Sequence, residues 1–150
     1  LGNSTGSFPS FIPKTDETRL QSNLEYLEEI KNVGPIYIST KVDGTSSTFC
    51  WDEEFCCCSR NFKRATKVKN DIETLNVYAE MAVKYNLESI ITANKNLVIQ
   101  GEIVGPGLMK NKLGLKEKEL FVFDIFDVFV NKRSRFCFPS CFVGWNNGAE

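Results

Sequence analysis

The chain has 150 residues, 42% of them hydrophobic, and a formal net charge of −1. It can bury a core as one domain, and nothing in it suggests two complete ones. The near-neutral balance excludes long-range attraction of a polyanion, so any nucleic-acid contact must come from local clustering; no stretch approaches the roughly 18 to 20 apolar residues of a membrane span.

Residues 1–10 are rich in Gly, Ser and Asn and read as a linker or cut end, leaving 11–150 as the domain. Asn3-Ser4-Thr5 matches a glycosylation acceptor only incidentally. Thr15 or Asp16 can cap a helix whose apolar positions Leu20, Leu24, Leu27 and Ile30 recur at helical spacing, up to Gly34-Pro35. Strand character follows at 36–42, 46–51 and 55–59. The spacing of Ile72, Leu75, Ala79, Ala82 and Val83 predicts a second helix over 71–85. Leu97 to Val104 and Leu120 to Val130 read as buried strands, separated by the Gly105-Pro106-Gly107 turn and a Lys-rich loop. The mixture predicts an α+β fold with antiparallel sheets and flanking helices.

Residue inventory narrows the chemistry. There is no histidine, so catalytic triads and imidazole acid–base catalysis are excluded, leaving lysine, carboxylates and metal. Six cysteines occur, at 50, 56, 57, 58, 137 and 141. Three are consecutive, and neighbouring strand residues point to opposite faces, so those three cannot all reach one metal. Buried, reduced thiols in an intracellular protein are the expectation instead, whether cytoplasmic, nuclear or organellar.

Lys41 stands directly after an apolar run and before a turn on Asp43 and Gly44. That presents an amine beside backbone donors that a phosphate can use, as a covalent nucleotidyl transfer site requires. A strand-end lysine beside an ordinary turn is the competing reading. A lysine of ordinary pKa, near 10.4, is protonated at neutral pH, so a nucleophilic role needs burial, neighbouring cations or a metal. Glu102 falls inside the apolar segment Leu97 to Val104, where a carboxylate is costly unless it binds something. Arg60, Lys63, Arg64, Lys67 and Lys69 form a basic run with Phe62 among them, either an RNA-backbone contact or a solvated loop. Lys110, Lys112, Lys116 and Lys118 form a sparser one, alternating with Glu117 and Glu119.

KVDG at 41–44, CSRN at 58–61, QGEIVGPG at 100–107 and LFVFDIF at 120–126 resemble, in this order, the motifs of the covalent nucleotidyltransferase superfamily. Within it they look most like ATP-dependent RNA ligases of the RNA ligase 2 type, and FPSFIPKTDETR at 8–19 resembles the stretch that precedes the nucleotidyl lysine there. The resemblance implies a nucleotidyltransferase domain of the DNA/RNA ligase-like kind, unrelated to ATP-grasp. It implies ATP with Mg²⁺ or Mn²⁺, a covalent lysyl-AMP intermediate on Lys41, and the sealing of RNA 5′-phosphate to 3′-hydroxyl ends, in nicked duplex or single strand. In that frame the backbone of Thr40 lies against the adenine edge. Asp43 shapes the turn, and Gly44 lets backbone approach the nucleotide. Arg60 contacts the nucleotide or the incoming phosphate; Arg60, Lys63, Arg64 and Lys67 bind RNA. Glu102 holds the ribose hydroxyl and helps organise a metal-bound water, and Phe123 stacks on adenine. From its place in the run Phe121, Phe123, Phe126 and Phe129 alone, Phe123 reads as core. The resemblance spans roughly residues 8 to 130; the family's Glu-Gly motif and final triphosphate-binding lysine are not matched, which implies a truncated or split domain acting as a monomer without membrane partners. Two alternatives stand beside the ligase: a catalytically idle nucleotide- or RNA-binding fragment, and a GTP-using capping-type enzyme.

Overall fold

The computed structural model describes residues 4–14, 19–30, 32, 41–66 and 76–135. The chain divides into two compact units, Leu1–Glu17 with Val42–Phe136, and Thr18–Lys41 with Cys137–Glu150. In chain order the elements are β1 (Ser4–Ser7), a 3₁₀ turn (Leu20–Ser22), α1 (Tyr26–Ile30), β2 (Thr45–Asp52), β3 (Glu54–Cys58) and β4 (Phe62–Arg64). They are followed by α2 (Val77–Lys84), α3 (Leu87–Ala93), β5 (Leu97–Val104), β6 (Glu119–Asp127) and β7 (Lys132–Arg135).

In the larger unit seven strands form one sheet in the order β1-β4-β3-β2-β5-β6-β7, every neighbouring pair antiparallel. The α+β expectation holds. Strands read at 46–51, 55–59 and 97–104 appear as β2, β3 and β5 with small shifts at their ends, and β6 stops at Asp127 because 128–131 turn back into β7.

Side-chain alternation sorts the sheet's two faces. One buries Phe49, Cys57, Ile99 and Ile103 against Tyr78, Met81, Leu87 and Ile91 of α2 and α3. Burial of each such large apolar side chain contributes roughly 1.5–3 kcal/mol. The start of α2 is fixed by Asn76, whose side chain accepts from the Tyr78 and Ala79 amides at 3.1 Å each. Its end is tied down by Lys84, which reaches Glu117 at 2.8 Å and Glu119 at 2.9 Å.

The opposite face holds a smaller cluster of Cys50, Cys56, Cys58, Val98 and Phe126, covered by Ile12. Ile12 belongs to the 8–14 segment, which also accepts a 3.2 Å bond at the Pro13 carbonyl from Gln100 Nε2. So the segment expected as the lead-in to the lysine lies across this face.

Several expectations change. Part of the expected linker is a strand, because Ser4 and Gly6 pair with Arg64 and Lys63 and so continue the sheet beyond β4. The helix read from Leu20, Leu24, Leu27 and Ile30 is a 3₁₀ turn followed by the short α1, with Leu24 65% and Leu27 41% exposed. In α2, Ala79 and Ala82 are buried as expected but Val83 is 71% exposed. Residues 15–18, 33–40 and 67–75 lie outside the described residues. Residues 36–40 of the strand expected at 36–42 fall there, as do Ile72 and Leu75, while the described residues 41–42 are not strand.

Candidate active site

Val42 to Gly44 of the KVDG segment meet the QGE segment in the larger unit. After Asp43 the chain enters β2, whose Ser46 lies opposite Glu102 of β5, and Glu102 in turn lies opposite Phe121 of β6. The Gly44 amide donates to Glu102 Oε1 at 3.0 Å. A backbone amide donating to a carboxylate is a strong, charge-assisted bond, and it binds the turn that follows the lysine to β5.

Gly44 has a packing reason to be glycine. A Cβ there would sit 2.2 Å from the Ile103 carbonyl oxygen and 2.9 Å from Val104 Cγ2. The missing side chain therefore serves close approach to β5. Gly101 has the same logic on the other side of β5, where an added Cβ would lie 2.7 Å from the Phe121 carbonyl oxygen. Beside it the register shifts: Gly101 pairs with Val122 and Gln100 with Asp124, so Phe123 is the extra residue of a β-bulge. Bulges re-aim side chains and recur next to active sites. Phe123 is half-buried.

β3 ends at Cys58, opposite Thr48, so the following turn carries Arg60 out at the same end of the sheet as Ser46 and Glu102. Arg60 is exposed. Of the basic run, Lys63 is held by Asp52 at 2.5 Å, while Arg64 donates to Ser59 Oγ at 3.0 Å and lies over the Phe62 ring. Asp43 is held by Lys112 at 2.6 Å. Lys112, read in the sequence only as part of the sparser basic loop, is brought to Asp43 across 69 positions of chain, a separation that no local pattern encodes. Buried Gln100 was missed as well: its Oε1 has no hydrogen-bond partner among the described residues, and it shares a sheet face with Glu102 two positions on.

Lys41 is exposed and belongs to the smaller unit; Thr40 and Lys67 lie outside the described residues.

The groups on the larger unit suit a nucleotide. A half-buried carboxylate at a strand end accepts bonds from hydroxyls, a half-buried ring on the neighbouring strand offers a face to a planar base, and the exposed Arg60 fork matches phosphate oxygens. Mg²⁺ and Mn²⁺ are held through one or two carboxylates together with water and phosphate oxygens, and Glu102 and Asp43 are the carboxylates of the two motif segments.

As expected, the three consecutive cysteines do not converge, since Cys57 faces away from Cys56 and Cys58, and Cys50, Cys56, Cys57 and Cys58 are buried free thiols. Cys56 and Cys58, two apart on β3, share a face, and Cys50 joins them from β2.

A sheet of this topology, with the turn that leads into β2 anchored on a strand carboxylate, defines a nucleotidyltransferase-like domain. The chain belongs to the RNA ligase family, whose model matches residues 34–149. Naegleria gruberi RNA ligase is a solved structural relative. A variant with AMP and Mn superposes with a TM-score of 0.76 at 29% identity, and another with ATP and Mn with 0.74 at 31%. The same ligase with PPi gives 0.73 at 31%. In each case 89% of this chain is covered but 38% of the ligase, so the chain spans well under half of that protein's length. No curated protein matches.

Proposed function

We propose that this chain carries the nucleotide-binding and lysine-bearing part of an ATP-dependent RNA ligase that acts inside the cell. The Lys41 Nζ attacks the α-phosphorus of ATP; the bond to the β-phosphate oxygen breaks, pyrophosphate leaves, and AMP stays on the amine. An RNA 5′-phosphate then takes the AMP from the lysine. Finally an RNA 3′-hydroxyl attacks that 5′-phosphorus and AMP departs. Covalent transfer through lysine divides one difficult displacement into easier ones.

The observation that carries the reading is the bond from the Gly44 amide to Glu102, because it joins two segments 58 residues apart that the resemblance independently assigns to one nucleotide site. Chain connectivity keeps the Lys41 Cα within about 11 Å of that of Gly44. Glu102 is assigned the ribose hydroxyls, Phe123 the adenine ring and Arg60 a phosphate. Glu102 and Asp43 would hold a divalent ion, which would supply charge neutralisation for the phosphates. The Naegleria relatives, solved with ATP, AMP and Mn, support ATP as the nucleotide.

The test is nucleotide labelling. With ATP labelled at the α-phosphate and Mn²⁺, the folded chain becomes labelled; GTP labels it at least tenfold less, a preference of about 1.4 kcal/mol in transition-state binding. Equal labelling by GTP would replace the ligase reading with a capping-type one, and a folded chain that ATP leaves unlabelled would remove the catalytic reading.

A further inference from the structure

The three thiols on the face opposite the helices form a site that the ligase chemistry does not use. Cys50 of β2 lies directly across from Cys56 of β3, and Cys58 follows two residues later on the same face. Their sulfurs all lie within 4.8 Å of one another, with Cys50 and Cys56 at 2.9 Å, and all three residues are buried. Cys57, between them in sequence, points into the helix-side core and takes no part. Ile12, Val98 and Phe126 wall the cluster off, with Phe8 and Val128 packed outside them.

We propose that Cys50, Cys56 and Cys58 bind one thiophilic closed-shell cation, Zn²⁺ or Cu⁺, through three thiolates. Soft thiolate donors in a converging set select these ions. Sulfurs bound to a tetrahedral ion at about 2.3 Å stand about 3.8 Å apart, a separation bracketed by the distances here. Zn²⁺ takes a water or small anion as its fourth ligand, whereas Cu⁺ is satisfied by three sulfurs. Binding forms sulfur–metal bonds as the thiols release their protons to solvent, and no electron is transferred.

One cation, Lys63, stands on the cluster's face of the sheet, since its cross-strand partner is Cys58, and it is paired there with Asp52. The cluster is separate from the candidate active site: Cys50 is four residues along β2 from Ser46, which faces Glu102, about 13 Å of strand. Its role is to tie β2 and β3 together under the 8–14 segment.

The experiment loads the full chain, reduced and free of oxygen, with Zn²⁺ or with Cu⁺ as its acetonitrile complex, and counts metal per chain after buffer exchange. Co²⁺ serves as a spectroscopic probe through its thiolate charge-transfer bands. One equivalent is expected, retained in Cys57→Ala and in the double variant Cys137→Ser/Cys141→Ser, and weakened at least tenfold in each of Cys50→Ser, Cys56→Ser and Cys58→Ser. Because those three variants touch buried positions, the wild-type chain gives a second readout: bound metal must protect Cys50, Cys56 and Cys58, located by peptide mass, from alkylation. Retention of Zn²⁺ alone or of Cu⁺ alone identifies the ion. The proposal is overturned if neither metal is retained, if metal is lost in the Cys137→Ser/Cys141→Ser variant, or if a Cys50–Cys56 disulfide forms in air despite saturating Zn²⁺.

Discussion

At the scale of single residues, Gly44 and Glu102 join the two motif segments. Gly44→Ala places a methyl group against the Ile103 carbonyl, and backbone cannot yield as a flexible side chain would. A loss of about 1–3 kcal/mol in a denaturant titration is expected, as for other overpacked sites. Glu102 holds the Gly44 amide with one oxygen and, on the proposed reading, ribose hydroxyls through the same carboxylate group. Glu102→Gln retains an acceptor for the amide, so stability should change by less than about 1 kcal/mol. Its adenylylation rate should nevertheless fall at least tenfold, or about 1.4 kcal/mol of barrier. A purely structural glutamate would let Glu102→Gln react at the wild-type rate. The importance of Glu102 was legible in the sequence, because a carboxylate inside LVIQGEIV demands a partner. That this partner includes the Gly44 amide was not, since a hydrogen bond spanning 58 residues is a product of strand register.

At the scale of elements, the sheet was more readable than the helices. β5 was recovered residue for residue because a short apolar run that ends at a Gly-Pro-Gly turn suits a strand covered on both faces and is too brief for a buried helix. α3 was missed: its seven residues bury only Leu87 and Ile91, too few to set up a periodic pattern. The helix expected from Leu20, Leu24, Leu27 and Ile30 shows the converse error, for a correct period need not mark a buried face. The bulge that singles out Phe123 was also hidden, because a register shift belongs to two strands at once and the Phe-rich run looks uniform in sequence. α2 provides a test of local control. Asn76→Ala leaves the Tyr78 and Ala79 amides without their cap and should cost about 1 kcal/mol of stability, whereas Asn76→Ser or Asn76→Asp should recover most of it. Equal stability of Asn76→Ala and wild type in a thermal melt would assign the start of α2 to packing alone.

At the scale of the whole molecule, one side of the sheet is given to structural packing against helices. The other carries Gln100, Glu102 and the thiol cluster, with the 8–14 segment across part of it. The class of the chain could be read from four short segments in order, which the RNA ligase family match supports. What those segments did not reveal was convergence between distant positions: Lys112 on Asp43, Pro13 on Gln100, and Cys50 on Cys56. The proposed reaction turns on covalent chemistry at the Lys41 amine. It is tested by the mass of the intact chain after ATP and Mn²⁺, followed by peptide mapping of the modified residue. The expected result is the gain of one AMP, located on Lys41, absent in Lys41→Ala and absent when the metal is chelated. A folded chain of unchanged mass, or AMP found on a different lysine, would overturn the lysyl-AMP assignment.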